Sequence, residues 1–287
     1  MRSLNLTLVV VAALALSAVV LGQAAQQSDG KKAQPNGAAP PRDLSGIWYP
    51  SRGPAGRGRG AGAGGGEGGG GEGGGGFPPQ SFPAKDFPFT AWGEKQFNDN
   101  RPSSGPREAP TTTNDRYLVC DPPGIPRLYF LPRPLEIAYI PGRTLIFYET
   151  NNTYREIWTD GRDLPKDPDP WWYGHSVGKW VDDFTFVVES NGFNDKTWLD
   201  SNGHPHSDQM HLTERFRRLD RDTMEVTLTV VDPKAYTKPL IGQPRTFQTR
   251  PQWELEESYC TVEDEQRYFN TVTLPAGSGG DSKSDKK

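Results

Sequence analysis

A chain of 287 residues with 32 Lys and Arg against 36 Asp and Glu carries a net charge of −4. That leaves no basic excess to neutralise a phosphate backbone, and it excludes nucleic acid as an expected partner. Only 33% of the chain is hydrophobic, and with the polar, Gly-rich segments set aside roughly 190 residues are left for a core, which suits one domain.

The N-terminus has the pattern of a secretory signal over residues 1–24. Arg2 gives a positive start, Leu8 to Leu21 is apolar apart from Ser17, and small residues Gly22 and Ala24 stand at the cleavage positions. The apolar run is shorter than the ~20 residues that span a bilayer. An uncleaved anchor is the alternative; after cleavage no membrane insertion is expected. The localisation that follows is periplasmic or extracellular. Residues 25–42 are polar and proline-bearing, and read as a disordered linker.

A single β domain is expected over 43–275. Its first strand is Asp43 to Tyr49 (DLSGIWY), and Trp48 needs partners from beyond the glycine-rich run at 53–76. That run has nothing to bury, so it reads as a disordered loop hung from the domain. Thr90 to Phe97 is the one short helix expected, with Thr90 as its cap.

From Cys120 onward the chain reads as strands. Leu135 to Ile140 and Thr144 to Thr150 form a hairpin across Pro141-Gly142-Arg143, and Thr153 to Thr159 follows. Trp171 to Val181 pairs with Phe184 to Ser190, and His211 to Leu219 with Thr223 to Val231. In the last of these Met224, Val226, Leu228 and Val230 alternate with Glu225, Thr227 and Thr229, so one face is buried. Phe247 to Arg250 and Gln252 to Cys260 are expected to supply the last pairing. Residues 276–287 read as a disordered tail.

Hairpin after hairpin, with no long helix, points to an antiparallel meander. A meander of this length removes its edges by closing, so the expected fold is mainly β, a lipocalin-like β-barrel. An open sandwich is the alternative. The Gly46-x-Trp48 of the first strand resembles that of lipocalin-type barrels, where the Trp plugs the floor. The two cysteines, Cys120 and Cys260, lie near the limits of the folded region. In an oxidising compartment they read as one disulfide, with two separate thiols as the alternative.

Chemistry concentrates around the histidines. All four, His175, His204, His206 and His211, fall within 37 residues, and three of them within eight. Asp195, Asp200, Asp208 and Glu214 are interleaved. Three readings stand side by side. One is acid–base catalysis by His206, Asp208 and His211 with Asp195, which suits a hydrolase, lyase or isomerase. A second is a zinc or copper site from His204, His206 and His211, although no cofactor is otherwise expected. The third is an ordered loop in which these side chains satisfy backbone groups.

Aromatic residues flank the histidines. Trp171, Trp172 and Trp198, together with His175, are candidates for a ligand-stacking platform; core packing is the alternative, and for Trp180 the favoured one. The charged strand residues Glu149, Arg155, Glu156, Glu214, Arg215, Arg217 and Arg218 suit either solvated faces or a polar barrel interior. Arg215 and Arg217 share a face and suit an anion.

Several strings occur together in order: DLSGIW, CDPPGIPR (Cys120 to Arg127), GHSVGKW, GFNDKTWLD, HPHSDQMHLTERFRR and DPKAYTKP (Asp232 to Pro239). In these the chain closely resembles a large family of exported proteins from Acidobacteria and related bacteria. The resemblance implies export and a compact, mostly-β domain, and it assigns no activity, so no catalytic residue is carried over. The function expected is that of an exported β-barrel that handles a small molecule, as a His/Asp enzyme, as a binder of an apolar or aromatic ligand, or as a cell-surface interaction module.

Overall fold

The computed structural model describes residues 37–51, 82, 87–268 and 270–271. The expected signal sequence, the glycine-rich loop 53–76, the tail 276–287 and most of the linker 25–42 lie outside the described residues. No helix among the described residues is long and apolar enough to cross a membrane.

Ten strands follow in chain order: β1 (Gly46–Ser51), β2 (Leu135–Ile140), β3 (Arg143–Tyr148), β4 (Thr153–Trp158), β5 (His175–Trp180), β6 (Thr185–Asn191), β7 (His211–Arg218), β8 (Thr223–Val231), β9 (Leu240–Ile241) and β10 (Arg245–Thr249). Neighbours in sequence pair from β1 to β9, and β10 pairs with both β1 and β8. Nine strands therefore close into a barrel, with the two-residue β9 attached to β8. The fold is mainly β and lipocalin-like, as the run of hairpins predicts.

The turns obey their sequences. Gly142, at a positive φ of 76°, turns β2 into β3, and Asp182 caps the β5–β6 turn by accepting from the Phe184 amide at 2.8 Å. The expected strand at Gln252 to Cys260 is absent. Because β10 bonds to β1 on one side and β8 on the other, neither edge of β10 is left for that segment to pair with.

Helix α1 (Ala91–Asp99) begins where expected, and the Thr90 hydroxyl accepts from the Gly93 amide at 3.1 Å. The same hydroxyl donates to the Lys234 carbonyl at 2.6 Å, which docks the helix onto the DPKAYTKP turn. Glycine is required at 93 because a Cβ there would stand 2.1 Å from the Ala235 carbonyl oxygen. A second short helix, α2 (Val262–Tyr268), follows Cys260.

Inward positions fill the barrel. Trp48 is fully buried, donates its indole N–H to the Leu44 carbonyl at 2.8 Å, and lies 4.9 Å beneath the Arg218 guanidinium. Ile137, Ile146, Phe186, Val188, Phe216, Met224, Val226 and Phe247 are buried with it. A 3-10 turn at Arg127–Phe130 inserts Tyr129 among them, also fully buried.

Charge lies at the centre of this core. Arg155 of β4 and Glu214 of β7 form two hydrogen bonds, at 2.7 and 2.5 Å, with side chains essentially inaccessible to water. Arg155 also donates to Ser176 of β5 at 2.9 and 3.1 Å and to Ser190 of β6 at 2.6 Å. Tyr148 donates to the Tyr129 hydroxyl at 3.1 Å, and Tyr129 donates to Glu214 at 2.6 Å. The cluster sits behind the weakest joint of the barrel. There β4 and β5 run parallel and share a single residue pair, Trp158 with Val177.

Candidate functional site

Two loops gather at the β5–β6–β7 end of the barrel, one before β5 and one between β6 and β7. Backbone bonds stitch them together. The Trp171 amide donates to the Gly192 carbonyl, and the Asn194 amide donates to the Trp171 carbonyl, both at 2.9 Å. The Asn191 side-chain amide reaches the Pro165 carbonyl at 2.8 Å. Gly174, at φ 62°, makes the approach close enough: a Cβ there would stand 2.6 Å from the Asn191 carbonyl oxygen.

Between the loops lies a pocket of about 430 Å³, lined by Pro170, Trp171, Trp172, Asn194, Asp195, Lys196 and Asp208. Its volume lies in the range of small-molecule sites. Trp171 is 57% exposed, yet it is held on both sides of its backbone and its ring lies 4.1 Å from that of His175. His175 is itself fixed by donating Nε2–H to the Asp169 carbonyl at 2.9 Å.

The polar wall is mixed. The Asn194 side-chain carbonyl accepts from the Lys196 amide at 3.0 Å. The Lys196 ammonium stands 5.7 Å from the centre of the Trp172 ring. Asp208 pairs through one carboxylate oxygen with Lys234 at 3.1 Å. Asp195 is exposed and has no hydrogen-bond partner among the described residues.

Four of the residues singled out from sequence therefore share one pocket: Trp171, Trp172, Asp195 and Asp208. His175 stands directly behind it. The other candidates lie elsewhere. His206 is buried beneath the loop, donates Nδ1–H to the Ser207 carbonyl at 3.2 Å and accepts the Thr197 hydroxyl on Nε2 at 2.7 Å. His204 is buried too, bonds through Nδ1 to Asp200 at 2.7 Å, and stacks between the rings of Phe87 and Phe97 at 3.7 and 4.8 Å. His211 sits on the outward row of β7, 3.5 Å from Glu189. Arg215 lies on that same outward row. Trp198 is 8% exposed and packs under the Arg127 guanidinium at 5.6 Å, a core position.

His204, His206 and His211 are thus not gathered, and among the described residues no group of three His, Cys, Asp or Glu side chains is arranged to hold a metal ion. Cys120 and Cys260 form the expected disulfide. Sequence reasoning missed Asn194 and Lys196, two polar residues in the Phe193 to Trp198 stretch. Their one signal is that aromatic residues enclose them on both sides. It also missed Asp232, whose carboxylate organises the loop from below by accepting from the Ser207 hydroxyl at 2.7 Å and the Ala235 amide at 3.1 Å.

His206 supplies a pH test of this support. Burial pushes its ring below the ordinary histidine pKa and outweighs the opposite pull of the Ser207 carbonyl and the Asp232 and Asp195 carboxylates. The unfolded chain, titrating near ~6.5, takes the proton first. Stability is then full above that value and is lost as pH falls toward the folded pKa. Thermal melts between pH 7.5 and 5 should show His206→Gln with a shallower acid loss than the wild type. Parallel slopes would contradict a neutral, buried imidazole.

No family model, no curated protein and no solved structure matches the chain.

Proposed function

We propose that this chain is an exported β-barrel protein that binds a small molecule in the loop pocket at Trp171 and Trp172, at the barrel end and not along the axis. The observation that carries this reading is Trp171. A large aromatic side chain, 57% exposed, is held rigidly at the rim of a concave site beside a second Trp and two carboxylates. Its exposure alone would be ordinary; its place in a concavity, with polar groups converging beside it, is what suits a stacking ligand.

The axis offers a ligand less. Tyr129, Arg155, Glu214 and the apolar residues around them occupy it. Binding is favoured over acid–base catalysis because His206 and His211 engage partners outside the pocket lining. Export is supported by the N-terminal pattern and by a disulfide, which persists in an oxidising compartment.

The test is a thermal-shift and fluorescence screen of the mature protein against soluble ring compounds, sugars and aromatics alike. A compound that binds saturably should lose roughly tenfold in affinity in Trp171→Ala, the equivalent of ~1.4 kcal/mol, without a fall in Tm. A ligand whose affinity is unmoved by Trp171→Ala and Asp195→Ala would place the working site elsewhere.

A further inference from the structure

Resting on that pocket, we propose that its ligand is a neutral carbohydrate whose ring lies on Trp171. The charges of the wall come first. Three charged side chains line the pocket, Asp195, Asp208 and Lys196; Lys234, outside the lining, offsets Asp208 through an ion pair at 3.1 Å. The pocket is balanced. An anionic ligand meets two carboxylates and a cationic one meets the Lys196 ammonium and an Asp208 already paired with Lys234, so the wall favours a ligand with no charge.

Hydrogen-bonding capacity narrows the class further. Asp195 and the second oxygen of Asp208 can only accept, whereas Lys196 can only donate. Asn194 offers its NH₂ as a donor, and its carbonyl, which accepts the Lys196 amide, keeps one further lone pair. The lining thus offers both acceptors and donors. A hydroxyl group both gives and takes a hydrogen bond, and a row of hydroxyls satisfies such a wall. A flat aromatic or terpenoid ligand would desolvate these groups and return nothing, a cost of about 1–3 kcal/mol for each one left unpaired.

The aromatic floor fits the same ligand. Trp172 already receives the Lys196 ammonium over its ring, while Trp171 remains open, backed by His175. A sugar ring is apolar on its C–H face and polar around its rim. It can therefore cover Trp171 while its rim hydroxyls reach Asn194, Asp195 and Asp208.

The experiment is calorimetric titration of the full mature protein with a panel of neutral hexasaccharides of glucose (β-1,4, β-1,3 and α-1,4), of xylose and of N-acetylglucosamine, with indole as a non-sugar aromatic probe. At least one oligosaccharide should bind saturably at 50 mM and 500 mM NaCl alike. Trp171→Ala should weaken it at least tenfold, Asp195→Asn by several-fold, and Trp171→Tyr should recover part of the loss. Circular dichroism checks that the variants are folded. If indole binds in a Trp171-dependent manner and no oligosaccharide binds at millimolar concentration, the carbohydrate assignment is overturned and the pocket survives. If neither probe depends on Trp171, the assignment and the pocket both fall.

Discussion

Arg155→Met should cost about 3–5 kcal/mol of unfolding free energy, the usual penalty for stranding one member of a buried ion pair. The substitution leaves Glu214 as a carboxylate with no cation, in a side-chain position wholly shielded from water. Burial alone pulls the Arg155 pKa down, but the Glu214 carboxylate and then Tyr129 outweigh it and hold the guanidinium above its ordinary value. Tyr129 is pushed well above the ordinary tyrosine pKa, first by burial and then by Glu214, so it stays a neutral donor to that carboxylate. The loss also acts on topology. Since β4 and β5 share one backbone pair, the Arg155 bonds to Ser176 and Ser190 do across this joint what a ladder does elsewhere. Arg155→Lys keeps the charge but not the planar fork, and should fall between wild type and methionine. Urea denaturation at pH 7 measures all three. A loss below about 1 kcal/mol for Arg155→Met would show that the cluster is incidental to closure.

Arg155 also shows where the sequence stops being legible. In Thr153 to Trp158 one face carries Thr153, Arg155 and Ile157, and the other carries Tyr154, Glu156 and Trp158. By composition the face with Tyr154 and Trp158 is at least as apolar, yet Arg155 is buried and Tyr154 is exposed. Alternation shows that a strand has two faces. Which face turns inward depends on partners far along the chain, here Glu214 and Ser190. Where the pattern is unambiguous, as in Met224 to Val230, sequence and structure agree position by position. The hairpins were legible for the same local reason. The double pairing of β10 and the parallel β4–β5 joint were not, because no local pattern encodes a partner so remote.

The pocket was half legible. Trp171 and Trp172 stand before β5, and Asp195 and Asp208 lie between β6 and β7. Strands β5 and β6 form a tight hairpin, so the loops at its open end meet. Crowding of histidines in sequence was a poorer guide. Between residues 203 and 211 the chain leaves a loop and enters a strand. Successive side chains there point in different directions, and three histidines reach an aromatic stack, a buried threonine and the outer surface of the barrel.

The disulfide is another place where a covalent or ionic tie substitutes for a ladder. It joins residues 140 apart and encloses every strand except β1. For a loop of this length the entropic ceiling is about 5 kcal/mol. Its local surroundings hold weakly. Between residues 251 and 260 the chain forms no strand and is largely exposed. Its ties are the Trp253 ring against Tyr49 at 5.2 Å, and hydrogen bonds from the Glu256 amide to the Glu149 carboxylate and from the Ser258 amide to the Asn152 side-chain carbonyl, both at 3.3 Å. We therefore expect Cys120→Ala/Cys260→Ala to lose about 2–5 kcal/mol, and Tm to fall by roughly 10 °C. Hydrogen exchange should show residues 250–268 losing protection first, while β6–β8 retain it. If instead the segment frays with Tm unchanged, the bond is a local clasp and the barrel owes it nothing. A large fall in Tm would mean that the barrel reaches full stability only where its thiols are oxidised.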